Sequence, residues 1–164
     1  MSKTEKHLKE AFAGESQANR KYLAFAQKAD QEGHHQAAKL FRAAAEAETI
    51  HAHAHLQALD GVGKTTDNLK AAISGETFEF ESMYPPMIAD AKAEGHEAAV
   101  RSFKFANEVE KIHAELYQKA LDTLADPKSV DYYVCPVCGN TVENDPPESC
   151  PICGAKGKTF KKID

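Results

Sequence analysis

Tryptophan is missing altogether from the 164 residues, and none of the seven prolines occurs before Pro85. Proline removes a backbone donor and blocks the turn before it, so its absence lets the first half be helical over long stretches. Cysteine is equally absent until Cys135, after which all four fall between Cys135 and Cys153. Charged residues interrupt every apolar stretch well short of the ~20 residues a membrane helix needs. No cluster of basic residues offsets the net charge of −5, which argues against nucleic acid as a partner. Residues 1–20 are charged throughout and contain no apolar core of the kind an export signal uses, so the expected location is cytoplasmic. There, cysteines in two Cys-x-x-Cys pairs point to a metal before they point to disulfides.

What is present is a soluble, globular balance of 42% hydrophobic and 27% charged residues, enough for one ordinary domain and a small appendage. Long stretches rich in Ala, Glu, Lys and Leu are punctuated by Gly33, Gly61 and Gly95. They predict four helices, at about 3–32, 35–60, 67–93 and 96–125, the first opened by a Ser2/Glu5 capping box. Pro85 and Pro86 should kink or break the third helix, and Asp126-Pro127 should end the helical part. The expected division is a helical domain over 1–126, a linker at 127–131, and a tail over 132–164 too small to fold on apolar burial alone.

The helical part repeats itself. A shift of 62 residues lays Phe41 on Phe103, Glu48 on Glu110, Ile50-His51-Ala52 on Ile112-His113-Ala114, and Leu59-Asp60 on Leu121-Asp122. Two copies of one helical hairpin are expected. At spacings of three and four, the inward stripes contain Glu15, then Glu48 and His51, then Glu76 and Glu79, then Glu110 and His113, where a bundle normally places Leu or Ile. Five unpaired carboxylates in a core would each cost several kcal/mol and repel one another. Counted at about 1.5 Å per residue, Glu15 and Glu48 lie at the same height above Gly33, as Glu79 and Glu110 do above Gly95. If the hairpins pair two-fold, the acidic positions converge, and positive charge must sit among them.

Glu48-x-x-His51 and Glu110-x-x-His113 each place a carboxylate and an imidazole on one helix face. With glutamates from the other two helices they make the donor set of a carboxylate-bridged di-metal centre in a ferritin-like bundle. Oxygen-rich ligation with some imidazole suits iron or manganese. Glu79 is a seventh candidate beyond the symmetric six, because the earlier part repeats at a shift of 61 and its partner there is Ala18. His55 reads as a polar group one turn beyond His51, His53 as solvated, and Glu46 and Glu108 as surface ion pairs. Tyr22 and Tyr117 either pack or donate to the carboxylates.

The tail holds Cys135-Pro-Val-Cys138-Gly and, after eleven residues, Cys150-Pro-Ile-Cys153-Gly. Four thiolates suit tetrahedral zinc or iron, and the residues alone leave the choice open. The repeated Cys-Pro-x-Cys-Gly after Tyr132-Tyr133-Val134 looks like the knuckles of rubredoxin.

Taken together, Gly14-Glu15-Ser16-Gln17-Ala18, Glu48-x-x-His51, Gly75-Glu76-x-x-Glu79, Met83-Tyr84-Pro85, Glu110-x-x-His113 and the two knuckles resemble rubrerythrin over the whole chain. The resemblance implies a mainly α chain: a ferritin-like four-helix bundle followed by a small rubredoxin-like loop and β module. It implies two irons in a carboxylate-bridged site and one iron on Cys135, Cys138, Cys150 and Cys153, with zinc possible there in some preparations. Glu48 and Glu110 are expected to bridge, Glu15 to be terminal on one iron, and Glu76 and His113 on the other. The first iron is expected to take Glu79 when oxidised and His51 when reduced. Tyr22 and Tyr84 match tyrosines that hydrogen-bond to ligand carboxylates. The implied activity is reduction of hydrogen peroxide to water in oxidative-stress protection, with electrons from an NAD(P)H reductase or rubredoxin-type carrier through the cysteine-held iron. A homodimer or higher homo-oligomer is expected, often head to tail. Ferritin-type iron oxidation and storage is the alternative, and a non-enzymatic metal-binding protein with a structural ribbon is a third reading.

Overall fold

Ser2 accepts from the Glu5 backbone N–H while the Glu5 carboxylate accepts from the Ser2 N–H, so the expected capping box opens helix α1, Lys3–Gln31. The computed structural model describes residues 1–164. They divide into two compact units, Met1–Gly63 and Lys64–Asp164. The first is a helical hairpin of α1 and α2, His35–Ala58. Its turn depends on Gly33, whose φ of 80° lets the His34 N–H reach back to the Ala29 carbonyl at 2.8 Å. Gly95 repeats the device 62 residues on, at φ 70°, with His96 N–H on Ala91 O at 2.9 Å. The repeat read from side chains therefore extends to the backbone of the turns.

Alanine makes the first hairpin close. Ala26 and Ala29 on α1 and Ala38, Ala45 and Ala52 on α2 are buried, the last three at seven-residue spacing along one seam. Near the turn Tyr22, Phe25 and Phe41 fill the remaining space, with Phe25 and Phe41 edge to face at 5.6 Å between ring centres.

The second unit begins with α3, Thr65–Phe78, which passes through a π-helical turn, Glu79–Met83, into α4, Tyr84–Ala93. This is the expected third helix, and the π turn explains how it tolerates its prolines. The Tyr84 N–H bonds to the Glu79 carbonyl, and Pro85 and Pro86 then occupy the first turn of α4, where a missing N–H costs nothing. The helix α5, Glu97–Asp122, packs against α3 and α4. It ends earlier than the expected residue 125, because the chain passes through turns before Pro127. Leu124, within the expected helix, therefore lies outside it and is 38% exposed.

The tail is a three-stranded antiparallel sheet in the order β2-β1-β3, with β1 Tyr132–Val134, β2 Thr141–Glu143 and β3 Lys161–Ile163. Tyr133 pairs with Val142 on one side and Lys162 on the other. Its core is Cys135, Cys150 and Phe160, with Tyr133, Val142 and Ile152 around them. Gly157 is fixed by close approach: a Cβ there would collide with the Pro147 carbonyl oxygen. Strand β2 rests on α5, and Lys119 of α5 pairs with Glu143.

Candidate metal centres

Each hairpin gathers three of the sequence-predicted ligands without help from the other. In the first unit Glu15, Glu48 and His51 bring ligand atoms within 4.8 Å of one another, and in the second Glu76, Glu110 and His113 do the same. Asn19 holds α1 to α2 one turn from Glu15, its amide donating to the Ala45 carbonyl at 2.7 Å and the Thr49 hydroxyl at 2.8 Å. Both histidines turn Nδ1 toward the preceding glutamate, 2.9 Å for His51 to Glu48 and 2.7 Å for His113 to Glu110. That is the geometry expected of Glu-x-x-His on one helix face.

The two triads differ in their surroundings. Side chains of Glu76, Glu110 and His113 are 20%, 15% and 27% exposed, whereas His51 is 55% exposed. The Glu76 carboxyl is pushed up to about 7, first by burial and then by the Glu110 charge. Burial and Glu110 raise Glu79 as well, which places this seventh candidate beside the second triad, at the start of the π turn. Glu48 is held below the usual carboxylate range by hydrogen bonds from His51 and Glu15. Tyr84 lies in the same acidic neighbourhood: burial, then Glu79, Glu110 and Glu76, raise its hydroxyl and keep it a donor. The Tyr22 ring packs on Phe25 and Phe41. His53 is exposed, as expected, and so is Glu108, in a surface pair with Lys111.

The ion pairs that Glu48, Glu76 and Glu110 make are with histidine, not lysine or arginine. Carboxylates gathered in a partly buried place with no fixed cation fit a metal of oxygen preference, and the imidazole Nδ1 atoms complete the donor set.

The cysteines fit a different metal group. Sγ atoms of Cys135 and Cys153, and of Cys138 and Cys150, are 3.6 Å apart. A disulfide is about 2.05 Å, whereas four thiolates about 2.3 Å from one ion stand nearly 3.8 Å from one another. Gly139 and Gly154, at φ 85° and 78°, close the two knuckles with N–H donors to Cys135 O at 3.0 Å and Cys150 O at 2.9 Å. Burial pushes the Cys138 thiol up. Cys150 is also buried, but backbone N–H donors from Cys153 and Ile152 outweigh that and bring it down to about 7.

Residues 6–121 match the family model described as Rubrerythrin, and residues 133–161 match its rubredoxin-like domain. The chain belongs to the rubrerythrin family. Rubrerythrin-2 of Clostridium acetobutylicum is 36% identical over 171 residues, spanning 94% of this chain and 93% of that protein. Nigerythrin of Nitratidesulfovibrio vulgaris is 37% identical over 171 residues, spanning 96% and 85%. Among solved structures, mixed-valence nigerythrin is similar with a TM-score of 0.59 at 35% identity, over 99% of this chain and 88% of that one. Fully reduced, all-ferrous nigerythrin also gives 0.59, at 34% identity. Rubrerythrins are oxidoreductases associated with oxidative-stress protection, and this one has the mainly helical fold with a small C-terminal knuckle module. Its cofactors are a carboxylate- and histidine-held di-iron pair and a four-cysteine iron. No helix is long and apolar enough to cross a membrane.

Sequence reasoning missed three polar residues that serve these sites. Asn19 has the internal hydrogen bonds described above. Asn140, 1% exposed, points its amide at Cys150 Sγ, 3.7 Å away. Thr141 touches His113 across 28 residues of chain. Only Asn19, four residues after Glu15 and so on the same helix face, left a trace in the pattern.

Proposed function

We propose that this rubrerythrin is a non-haem di-iron peroxidase, reducing hydrogen peroxide to water with electrons that an NAD(P)H reductase or rubredoxin-type carrier delivers to the four-cysteine iron. The observation that supports it most is the packing of the cysteine module on α5, the helix that holds Glu110 and His113. A purely structural ribbon has no reason to lie against a redox site.

In this reading the two triads would together hold the iron pair, which would supply two electrons per peroxide. Glu48 and Glu110 would be shared by both irons, Glu15 would serve one iron, and Glu76 and His113 would serve the other. Glu79 and His51 would exchange as ligands of the first iron. His51 is the more exposed histidine and has room to leave, while His113 is held at both ring nitrogens. The Tyr84 hydroxyl, kept protonated by burial and by its acidic neighbours, would donate to the ligand carboxylates and orient them. Ferritin-type iron oxidation is less well supported, because it draws electrons from the iron it stores and needs no delivery module.

Anaerobic stopped-flow tests the proposal. Fully reduced protein is mixed with hydrogen peroxide or with oxygen, and reoxidation is followed at the visible iron–thiolate band. Much faster reoxidation by peroxide is expected. Faster reoxidation by oxygen points instead to an oxidase or ferroxidase.

Glu79→Ala tests the ligand exchange. The oxidised site is expected to lose stability, with its charge-transfer absorption altered, while ferrous binding falls less than about tenfold, because the reduced site uses His51. Equal loss in both oxidation states removes the exchange from the mechanism.

A further inference from the structure

We infer that Thr141 is a positioning residue that fixes the His113 ring proton on Nε2 and ties the cysteine module to the metal-binding face of α5. The inference rests on the di-metal reading above and adds a residue to it. His113 Nε2 lies 3.0 Å from the Thr141 hydroxyl, and that hydroxyl lies 3.1 Å from the Gly139 carbonyl oxygen. Gly139 directly follows Cys138, and its own N–H closes the first knuckle on Cys135 O.

Counting hydrogens settles the direction of the relay. The Gly139 carbonyl can only accept, so the single hydrogen of the Thr141 hydroxyl goes to it. The hydroxyl oxygen then receives a hydrogen from the ring, which requires Nε2–H. With a proton held there, Nδ1 is the nitrogen left to face the carboxylates, 2.7 Å from Glu110 Oε2 and 3.9 Å from Glu76 Oε1; it donates to Glu110 without a metal and would offer its lone pair to a cation that takes the place of that proton. A histidine that ligates through one nitrogen is oriented by the partner of the other, and such partners shift metal affinity about 10–100-fold.

The two halves of the repeat differ at this point. His51 makes the same Nδ1 contact with Glu48, but its ring is more exposed. Thr141 belongs to the tail, which the repeat does not include. The contact lies in the wall of a mainly apolar cleft of about 300 Å³, lined by Leu69, Leu116, Tyr117, Ala120 and Tyr132. Apolar walls strengthen a hydrogen bond and keep water from replacing it. Val109 of α5 lies within van der Waals reach of the position a Gly139 Cβ would take, so the knuckle is seated close to the helix. One hydroxyl thus joins the Cys138–Gly139 knuckle to the ring of a proposed metal ligand.

Two substitutions separate this role from mere packing. Thr141→Val keeps the shape and favours a strand but removes the hydroxyl, while Thr141→Ser keeps the hydroxyl. The full-length protein is prepared with zinc in both the cysteine site and the triads, so that a cation rather than a proton occupies Nδ1. Two-bond proton–nitrogen correlation spectra then report the His113 Nε2–H and its exchange with solvent. Wild type and Thr141→Ser are expected to show a slowly exchanging Nε2–H, and Thr141→Val one that exchanges about tenfold faster or more. Manganese(II) titration of protein with empty triads should give affinity about tenfold or more weaker in Thr141→Val and restored in Thr141→Ser. Unchanged exchange and affinity in Thr141→Val overturn the inference. Failure of wild-type protein to take up either metal in the triads instead counts against the di-metal reading and removes the role of Thr141 with it.

Discussion

Cys138→Ser is expected to stop sustained peroxide reduction while sparing one reaction of protein that has been reduced beforehand. Serine keeps the shape of the first knuckle but offers a hydroxyl that does not ionise near neutral pH, in place of a thiolate suited to iron. The thiol at this position is itself pushed up by burial, so only a bound metal makes its deprotonation favourable. Losing one of four ligands changes the charge and reduction potential of the cysteine-held iron. The carboxylate triads stand on helices α1, α2, α3 and α5, and none of their residues belongs to the knuckle, so di-iron content should persist. Turnover with an NAD(P)H-linked reductase should fall about 100-fold or more. A single mix of the reduced variant with one equivalent of peroxide should still convert the iron pair at close to the wild-type rate. Loss of both reactions would show that the cysteine site does more than deliver electrons. Retention of turnover would show that electrons reach the pair by another route.

The two sets of ligands behind that experiment were readable from the chain because ligands obey spacing rules that do not depend on tertiary detail. Glu48-x-x-His51 and Glu110-x-x-His113 are fixed by helical periodicity, and the structure places each pair on one face as the period requires. Gly33 and Gly95 were legible for the same reason, since each ends a helix with a left-handed residue. The Cys-Pro-x-Cys-Gly knuckles announce a metal by chemistry alone, and their 3.6 Å sulfur separations agree.

What stayed hidden depends on contacts between distant segments or on backbone geometry with no side-chain signature. Pro85 and Pro86 foretold a disturbance of the third helix but not its form. The π turn spreads the disturbance over Glu79–Met83, so the seventh candidate ligand begins the irregular turn. Functional π turns are common at such places because the extra residue redirects a side chain while the helix continues. Thr141 and Asn140 were invisible because a hydroxyl or amide one or two residues after a knuckle carries no periodic mark, and their partners lie 28 and 10 residues away.

Glu76→Gln should separate what this fold needs for stability from what it needs for metal. Glu76 ionises near 4.5 in an unfolded chain but holds its proton to about 7 when folded, because burial and then the Glu110 charge oppose ionisation. Between those values folding takes up a proton, so stability falls as pH rises through the window and is lowest above about 7. Metal-free wild-type protein should therefore melt lower at pH 8 than at pH 5. Glutamine accepts and donates in the same place without a charge, so metal-free Glu76→Gln should melt higher than wild type at pH 8. The gap should close near pH 4.5, where the wild-type carboxyl is protonated in the folded state and half protonated in the unfolded one. Metal reverses the order. A cation pairs with the ionised carboxylate and displaces the proton, and an amide is a far poorer ligand for it. Iron or manganese should raise the wild-type melting temperature at pH 8 and scarcely move that of the variant, whose affinity should drop by at least about 100-fold. Calorimetry at the two pH values, with and without metal, reads all four arms. If metal-free Glu76→Gln is no more stable than wild type at pH 8, the second triad is not held under electrostatic strain. The carboxylates of α3 and α5 would then be placed by packing alone, with no need for a cation between them.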